Sequence, residues 1–251
     1  MALNGEMAGA IAQLSKDAIA QRGFCTLVLS GGSTPKSLYA LMATPQWRDQ
    51  FDWSRIRLFW GDERFVPADH PDNNYAMVKR ELLSKVSVPR ANVHRMITEE
   101  GTPEQVAAAY QVTVLRETSS GKDASAVMDE IPRFDIVLLG LGTNGHTASL
   151  FPHTDVLHEK RLLVASCYVD EVKSHRITMT APLLNNARNI FFLVAGAEKA
   201  EVLNEVLYGP NQPEKLPAQL IHANHGSMIW MTDKPAARLL PQSSRSDAAR
   251  K

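Results

Sequence analysis

The sequence predicts an α/β protein: a single domain with a mostly parallel, twisted sheet and helices on both faces. Three observations carry that expectation. Short β-type runs alternate with helical stripes along the chain, as parallel strands joined by helical crossovers require. The run from Phe134 to Leu139 is almost wholly apolar, as suits a strand buried on both faces. The length of 251 residues, 44% hydrophobic and 22% charged, is enough for a sizeable core. At roughly 150 residues per domain it permits one large unit or two small ones, and with no linker visible one domain over residues 1–241 is expected.

The elements follow in order. Residues 3–21 set Leu3, Met7, Ala10, Ile11, Leu14 and Ala18 on one helical stripe, and Gly23 ends that helix. Thr26 to Leu29 is a short strand stopped by Gly31 and Gly32, after which Pro35 fits the first turn of a helix whose apolar face is Leu38, Leu41 and Met42. Ile56 to Trp60 is a strand, and Asn74 to Val86 a helix entered through Asp72, Asn73 and Asn74. Pro103 to Glu117 is a further helix. Arg176 to Thr180 and Ile190 to Ala195 are strands, Ala197 to Leu207 a helix and Met228 to Met231 a last strand, with a short helix after Pro235. The polar, Ser-rich stretch from Thr118 to Asp129 is expected to be a surface loop. The tail from Gln242 to Lys251 has no apolar periodicity and is expected to be disordered.

Charge and cysteines exclude several classes. Lys plus Arg and Asp plus Glu are 27 each, so there is no basic excess for a nucleic-acid backbone. No run of about 18 apolar residues exists to span a bilayer. No basic segment followed by an apolar core marks a secretory signal. Cys25 and Cys167 form neither C-x-x-C nor a disulfide framework, and both are expected to be buried structural thiols. A cytoplasmic protein is expected, without nucleic-acid or membrane partners; protein partners are left open.

In a parallel sheet, ligands bind outside the carboxyl ends of the strands, and three segments there hold polar residues that packing does not require. Ser30-Gly31-Gly32-Ser33-Thr34-Pro35 follows a strand and opens a helix. Its glycines allow close backbone approach, and the free N–H groups of the helix start suit a phosphate. It is neither a Walker A loop nor G-x-G-x-x-G. Gly61-Asp62-Glu63-Arg64 could orient a charged substrate, although a solvated charge cluster accounts for it more simply. Gly140 to Ser149 places three glycines around one imidazole, that of His146, whose ordinary pKa of about 6.5 suits a general base. His222 and His225 lack a third ligand for zinc, and Leu162 breaks the H-E-x-x-H pattern begun by His158 and Glu159. Ser30 and Ser33 are not in G-x-S-x-G. Trp53, Trp60 and Trp230 are expected in the core and Trp47 near the surface.

In this order, the segments Ser30 to Pro35, Trp60 to Pro67 and Gly145 to Pro152 resemble the 6-phosphogluconolactonase family. The similarity continues through Arg176 to Thr180, Leu184 to Arg188, Lys199-Ala200 and Leu216 to Leu220, and it covers nearly the whole chain. The resemblance implies a glucosamine-6-phosphate isomerase-like fold. It implies hydrolysis of 6-phospho-D-glucono-1,5-lactone to 6-phospho-D-gluconate, the second step of the oxidative pentose phosphate pathway. No metal or organic cofactor is implied. His146 would activate water, with Asp62 and Arg64 as further catalytic residues on the sugar side and Arg64 a candidate for contact with the oxyanion or the phosphate. Gly31, Gly32, Ser33, Thr34, Arg176 and Lys199 would hold the phosphate, and Asn144 and Gly145 would complete the loop. Asn144 departs from the aspartate usual in this family, which leaves the charge partner of His146 open. Sugar-phosphate deaminases resemble the same loops but carry a glutamate five residues after the histidine; here that residue is Phe151. Sugar-phosphate sensors share the fold but attach a DNA-binding segment, and none is visible here.

Overall fold

The computed structural model describes residues 2–118 and 131–241; both the stretch expected as a loop beyond Thr118 and the tail from Gln242 lie outside the described residues. The chain runs α1 (Ala2–Arg22), β1 (Cys25–Leu29), α2 (Ser33–Met42), the single-turn α3 (Pro45–Arg48), β2 (Ile56–Trp60), β3 (Asp62–Arg64) and α4 (Asn74–Val78). It continues through β4 (Val93–His94), α5 (Pro103–Thr118), β5 (Ile136–Gly140), β6 (Val164–Val169), β7 (Ser174–Met179), α6 (Ala181–Asn185), β8 (Asn189–Val194), α7 (Ala200–Tyr208) and β9 (Ser227–Thr232). Six strands form one sheet in the order β4-β2-β1-β5-β8-β9, with every pairing parallel.

Period-2 alternation divides the apolar side chains of these strands between two cores. Leu27, Leu29, Leu58, Trp60, Ile136, Leu138, Phe191 and Leu193 pack with Met7, Ile11, Leu38 and Met42 of α1 and α2. Val28, Phe59, Val137, Leu139, Ile190, Phe192 and Val194 face the other way, onto Val106 and Tyr110 of α5, Leu183 of α6 and Leu203 of α7. Trp53 and Trp60 are buried as expected. Trp230 lies on an edge strand, half-buried, its ring stacked nearly parallel on that of Phe192 with centres 3.8 Å apart.

Several elements differ from the sequence expectation. The strand expected at Arg176 to Thr180 forms, but in a separate antiparallel sheet of order β3-β7-β6. Two of those three strands, β3 and β6, have no apolar alternation strong enough to announce them. The expected helix from Asn74 to Val86 is α-helical only to Val78 and widens into a π turn over Lys79–Leu83. Cys25 is fully buried, whereas Cys167 is only partly so, its Sγ 3.6 Å from the Ser149 carbonyl oxygen.

Gly61 joins the two sheets: its N–H donates to the Leu29 carbonyl (2.9 Å) and its carbonyl accepts from the Met179 N–H (2.8 Å). Past this hinge, β3 alternates like any strand, so Asp62 and Arg64 share one face and Glu63 takes the other. Glu63 is fully buried. Its carboxylate accepts the N–H groups of Arg64 (2.8 Å), Asn74 (2.7 Å) and Tyr75 (2.9 Å), which anchors the start of α4 beneath β3. Removing it would leave the buried Asn74 N–H unpaired, at about 1–3 kcal/mol, and free two part-buried donors as well. Burial pushes its pKa from 4.5 up to about 7 against those three bonds.

That shift fixes the sign of a pH effect. Between the two values the folded chain holds a proton that the unfolded chain has lost, so this group makes stability fall as pH rises. From about pH 5 to pH 7.5, the Tm of the wild type should therefore lose ground against that of Glu63→Gln, read by thermal unfolding across the range. Parallel curves would show that Glu63 ionises at its ordinary value.

Candidate active site

The strand order sets the location. From β1 the chain winds outward through β2 to β4, then returns to β5 and winds the other way through β8 to β9. The loops after β1 and β5 therefore diverge, and a crevice opens at their carboxyl ends. A cavity of about 260 Å³ lies there, lined by residues 30–35 after β1, Asp62 and Arg64 of β3, residues 140–143 and 146–148 after β5, residues 193–195 at the end of β8, and Lys199. Its size is near the lower end of ligand pockets, roughly 300–1,000 Å³, which suits a small polar metabolite.

Gly32 has φ 100°, a left-handed value that turns the chain from β1 into α2. No side chain caps that helix, so its first N–H groups face the cavity unpaired within the helix. Gly31 lies so close to Asn74 that a Cβ there would overlap the amide. Asn74 in turn donates to the Asp62 carbonyl (3.0 Å), which ties the first loop to the second.

The second segment is not the solvated charge cluster that its composition favours. Asp62 is 7% exposed, and its Oδ2 accepts from Ser149 Oγ at 2.7 Å. Arg64 donates from one terminal nitrogen to the Asp72 carbonyl (2.7 Å). It stands directly opposite Arg176 across the β3–β7 pair, where like charges repel. Both guanidiniums keep a buried Nε without a hydrogen-bond partner, and among the described residues neither they nor Lys199 are in an ion pair. Such a set of cations is an anion site in waiting. Arg176 stands beside the cavity rather than in its lining, its guanidinium carbon 6.0 Å from the centre of the Phe151 ring.

The third loop closes tightly around His146. The Gly142 N–H donates to the His146 carbonyl (2.8 Å) and the Gly145 N–H to the Gly142 carbonyl (3.1 Å). A side chain at Gly142 would overlap the imidazole. Ala148 holds the left-handed φ of 49°, strain of the kind that gathers at functional sites. The imidazole stacks on Phe151, ring centres 3.9 Å apart and 15° from parallel. Its Nδ1 lies 2.5 Å from Asn144 Oδ1, and among the described residues no protein group bonds Nε2.

This environment overturns the expectation of an ordinary histidine. Burial first, then the charges of Lys199, Arg176 and Arg64, push its pKa down to about 4, so the ring is neutral at physiological pH. Ser149 and Asn74 join the site through contacts with Asp62 made across the fold, which no run of consecutive residues discloses. His222 Nδ1 lies 3.2 Å from Asn185 Nδ2.

The family described as glucosamine-6-phosphate isomerases/6-phosphogluconolactonase matches this sequence over residues 1–230. The chain belongs to that family. It is 42% identical over 225 residues to the 6-phosphogluconolactonase of Synechocystis sp., covering 89% of this chain and 88% of that one. The solved 6-phosphogluconolactonase of Trypanosoma brucei superposes with a TM-score of 0.80 at 30% identity, covering 95% of each chain. A monomeric glucosamine-6-phosphate deaminase, 21% identical with a TM-score of 0.74 over 94% of this chain and 96% of its own, shares the fold. No helix among the described residues is long and apolar enough to cross a membrane.

The electrostatics predict a titration. In an NMR titration, His146 should protonate with a midpoint near 4 rather than near 6.5. Replacing Lys199 or Arg64 by alanine should raise that midpoint, as should saturation with inorganic phosphate. A midpoint that none of these moves would mean that the cations do not reach the ring.

Proposed function

We propose that this chain hydrolyses 6-phospho-D-glucono-1,5-lactone to 6-phospho-D-gluconate, with His146 as the general base. The observation that carries the reading is a neutral imidazole whose Nε2 is free, set in a cavity flanked by unpaired cations and an uncapped helix start. The naming of the relatives as 6-phosphogluconolactonases supports it.

The chemistry follows from the groups. His146 Nε2 takes a proton from water as its oxygen attacks the ring carbonyl carbon. The developing oxyanion is met by a guanidinium, and Arg64, which lines the cavity, is assigned that contact. The bond from the carbonyl carbon to the ring oxygen then breaks, and the imidazolium returns its proton to that oxygen. The phosphate sits on the backbone of Gly31, Gly32, Ser33 and Thr34 at the start of α2, held by Lys199, with Arg176 adding charge from beside the cavity. Asp62, with one oxygen committed to Ser149, turns the other to the sugar hydroxyls. Asn144 and Gly145 shape the loop that aims the base. The substrate is thus a small sugar phosphate. Two unpaired thiols fit action in the reducing cytoplasm.

Hydrolysis of freshly generated lactone, corrected for the spontaneous rate, tests this reading. His146→Ala should lower kcat by about 10²- to 10⁴-fold, the usual worth of a general base. Retention of most activity would remove His146 from the mechanism. Because the free ring stays neutral to about pH 4, kcat/KM should hold level on the acid side down to about pH 5. Lys199→Ala should weaken binding of 6-phosphogluconate far more than that of gluconate, and equal losses would deny it the phosphate.

A further inference from the structure

An amide facing Nδ1 of a catalytic imidazole is ambiguous in a way a carboxylate is not. Asn144 can present its oxygen, which accepts from Nδ1–H and leaves the Nε2 lone pair free. It can also present its nitrogen, which donates to Nδ1 and moves the ring proton to Nε2, where the base is lost. Something has to choose between the two. One contact within the loop favours the oxygen, the His146 backbone N–H at 3.2 Å from Oδ1, but it is long.

The stronger contact comes from elsewhere in the fold. Asn144 Nδ2 donates to Glu171 Oε2 at 2.6 Å, a charge-assisted bond. Glu171 sits in the tight turn Asp170–Val172 that joins β6 to β7, and the turn is closed by Lys173 in the left-handed conformation, φ 46°. The same hairpin brings Arg176 up to Arg64. Its tip therefore reaches the loop of the base with a carboxylate that only the amide nitrogen can satisfy. With the nitrogen held outward, the oxygen points at the ring.

We propose that Glu171 is a positioning residue for His146: its carboxylate locks the Asn144 amide so that the imidazole keeps its proton on Nδ1 and its lone pair on Nε2. It also polarises the amide, so the oxygen facing the ring carries more negative charge than an isolated asparagine offers. The pair Glu171 and Asn144 thereby does the work of one carboxylate beside the base. The role rests on the reading of His146 as the base, yet the tautomer can be read without any turnover.

The test combines the two readouts. Long-range ¹H–¹⁵N correlation of the free protein reports the tautomer of His146. The wild type is expected as the Nδ1–H form. Glu171→Ala should populate the Nε2–H form measurably and lower kcat about tenfold, the lower end of what an orienting partner of a functional histidine is worth, with KM held within about twofold. Glu171→Gln, whose carbonyl still accepts from Asn144 Nδ2, should keep the wild-type tautomer and most of the activity. In the background of Glu171→Ala, adding Asn144→Asp should restore both, since a carboxylate at 144 needs no lock. Asn144→Asp alone should fall below that double variant, because it sets two carboxylates where one bond of 2.6 Å now lies. A wild-type tautomer in Glu171→Ala would overturn the proposal, whatever happens to kcat. So would a double variant no better than Glu171→Ala. If the wild type fails to accelerate lactone hydrolysis, the functional reading falls, while the tautomers still decide the role of Glu171.

Discussion

The reversal of strand order between β1 and β5 is the constraint from which the site follows. Parallel strands connected by crossovers wind in one direction until the chain returns to the starting strand and winds the other way. At that point neighbouring loops leave the sheet in opposite senses, and no packing of helices can cover the gap. The opposite edge shows what happens without such a gap. There Asp135 accepts from the Thr26 N–H and hydroxyl and pairs with Arg22 at 2.6 Å, and the charges are spent on holding strand ends together. At the carboxyl edge the charges are left unspent.

Those unspent charges set the chemistry. Burial, and after it the charges of Lys199, Arg176 and Arg64, depress the imidazole's proton affinity, so the ring is neutral but a weak base. On the proposed reading, a phosphate dianion at the start of α2 would offset the cations' share of that shift. Binding of such a substrate would then raise the basicity of His146 when a proton has to be taken from water. The same anion would relieve the repulsion between the facing arginines, so that binding energy from the remote phosphate would be converted into readiness at the reacting carbon. A ligand without phosphate would obtain neither effect.

The sequence disclosed the parts of this arrangement that are local. The helix start after β1, the glycines around His146 and the two-sided burial of β5 are each written in consecutive residues. What it hid depends on distant partners. Glu63 looked like one of a run of solvated charges, but a hinge at Gly61 turns it inward onto the start of α4. The small sheet went unread as a sheet because β3 has three residues, all charged, and their pairing with β7 is a long-range event. Asn144 read as the loss of a charge partner, because Glu171 lies 27 residues further on, beyond the loop and strand β6. The ordinary pKa expected of His146 gives way to burial and to three cations that come from other parts of the fold.

Phe151 separates the two chemistries that this fold supports. Moving a proton between adjacent carbons needs a second titratable group near the histidine to take and return it. Here the position that could hold one is an apolar ring stacked 3.9 Å from the imidazole. Such a ring cannot carry a proton; it holds the imidazole in one plane and keeps water off that face. Hydrolysis of an activated ester asks no more of the histidine than one proton taken and one returned, both at Nε2. The stacked phenylalanine leaves that edge open, and so favours the reaction that needs a single base over the one that needs two.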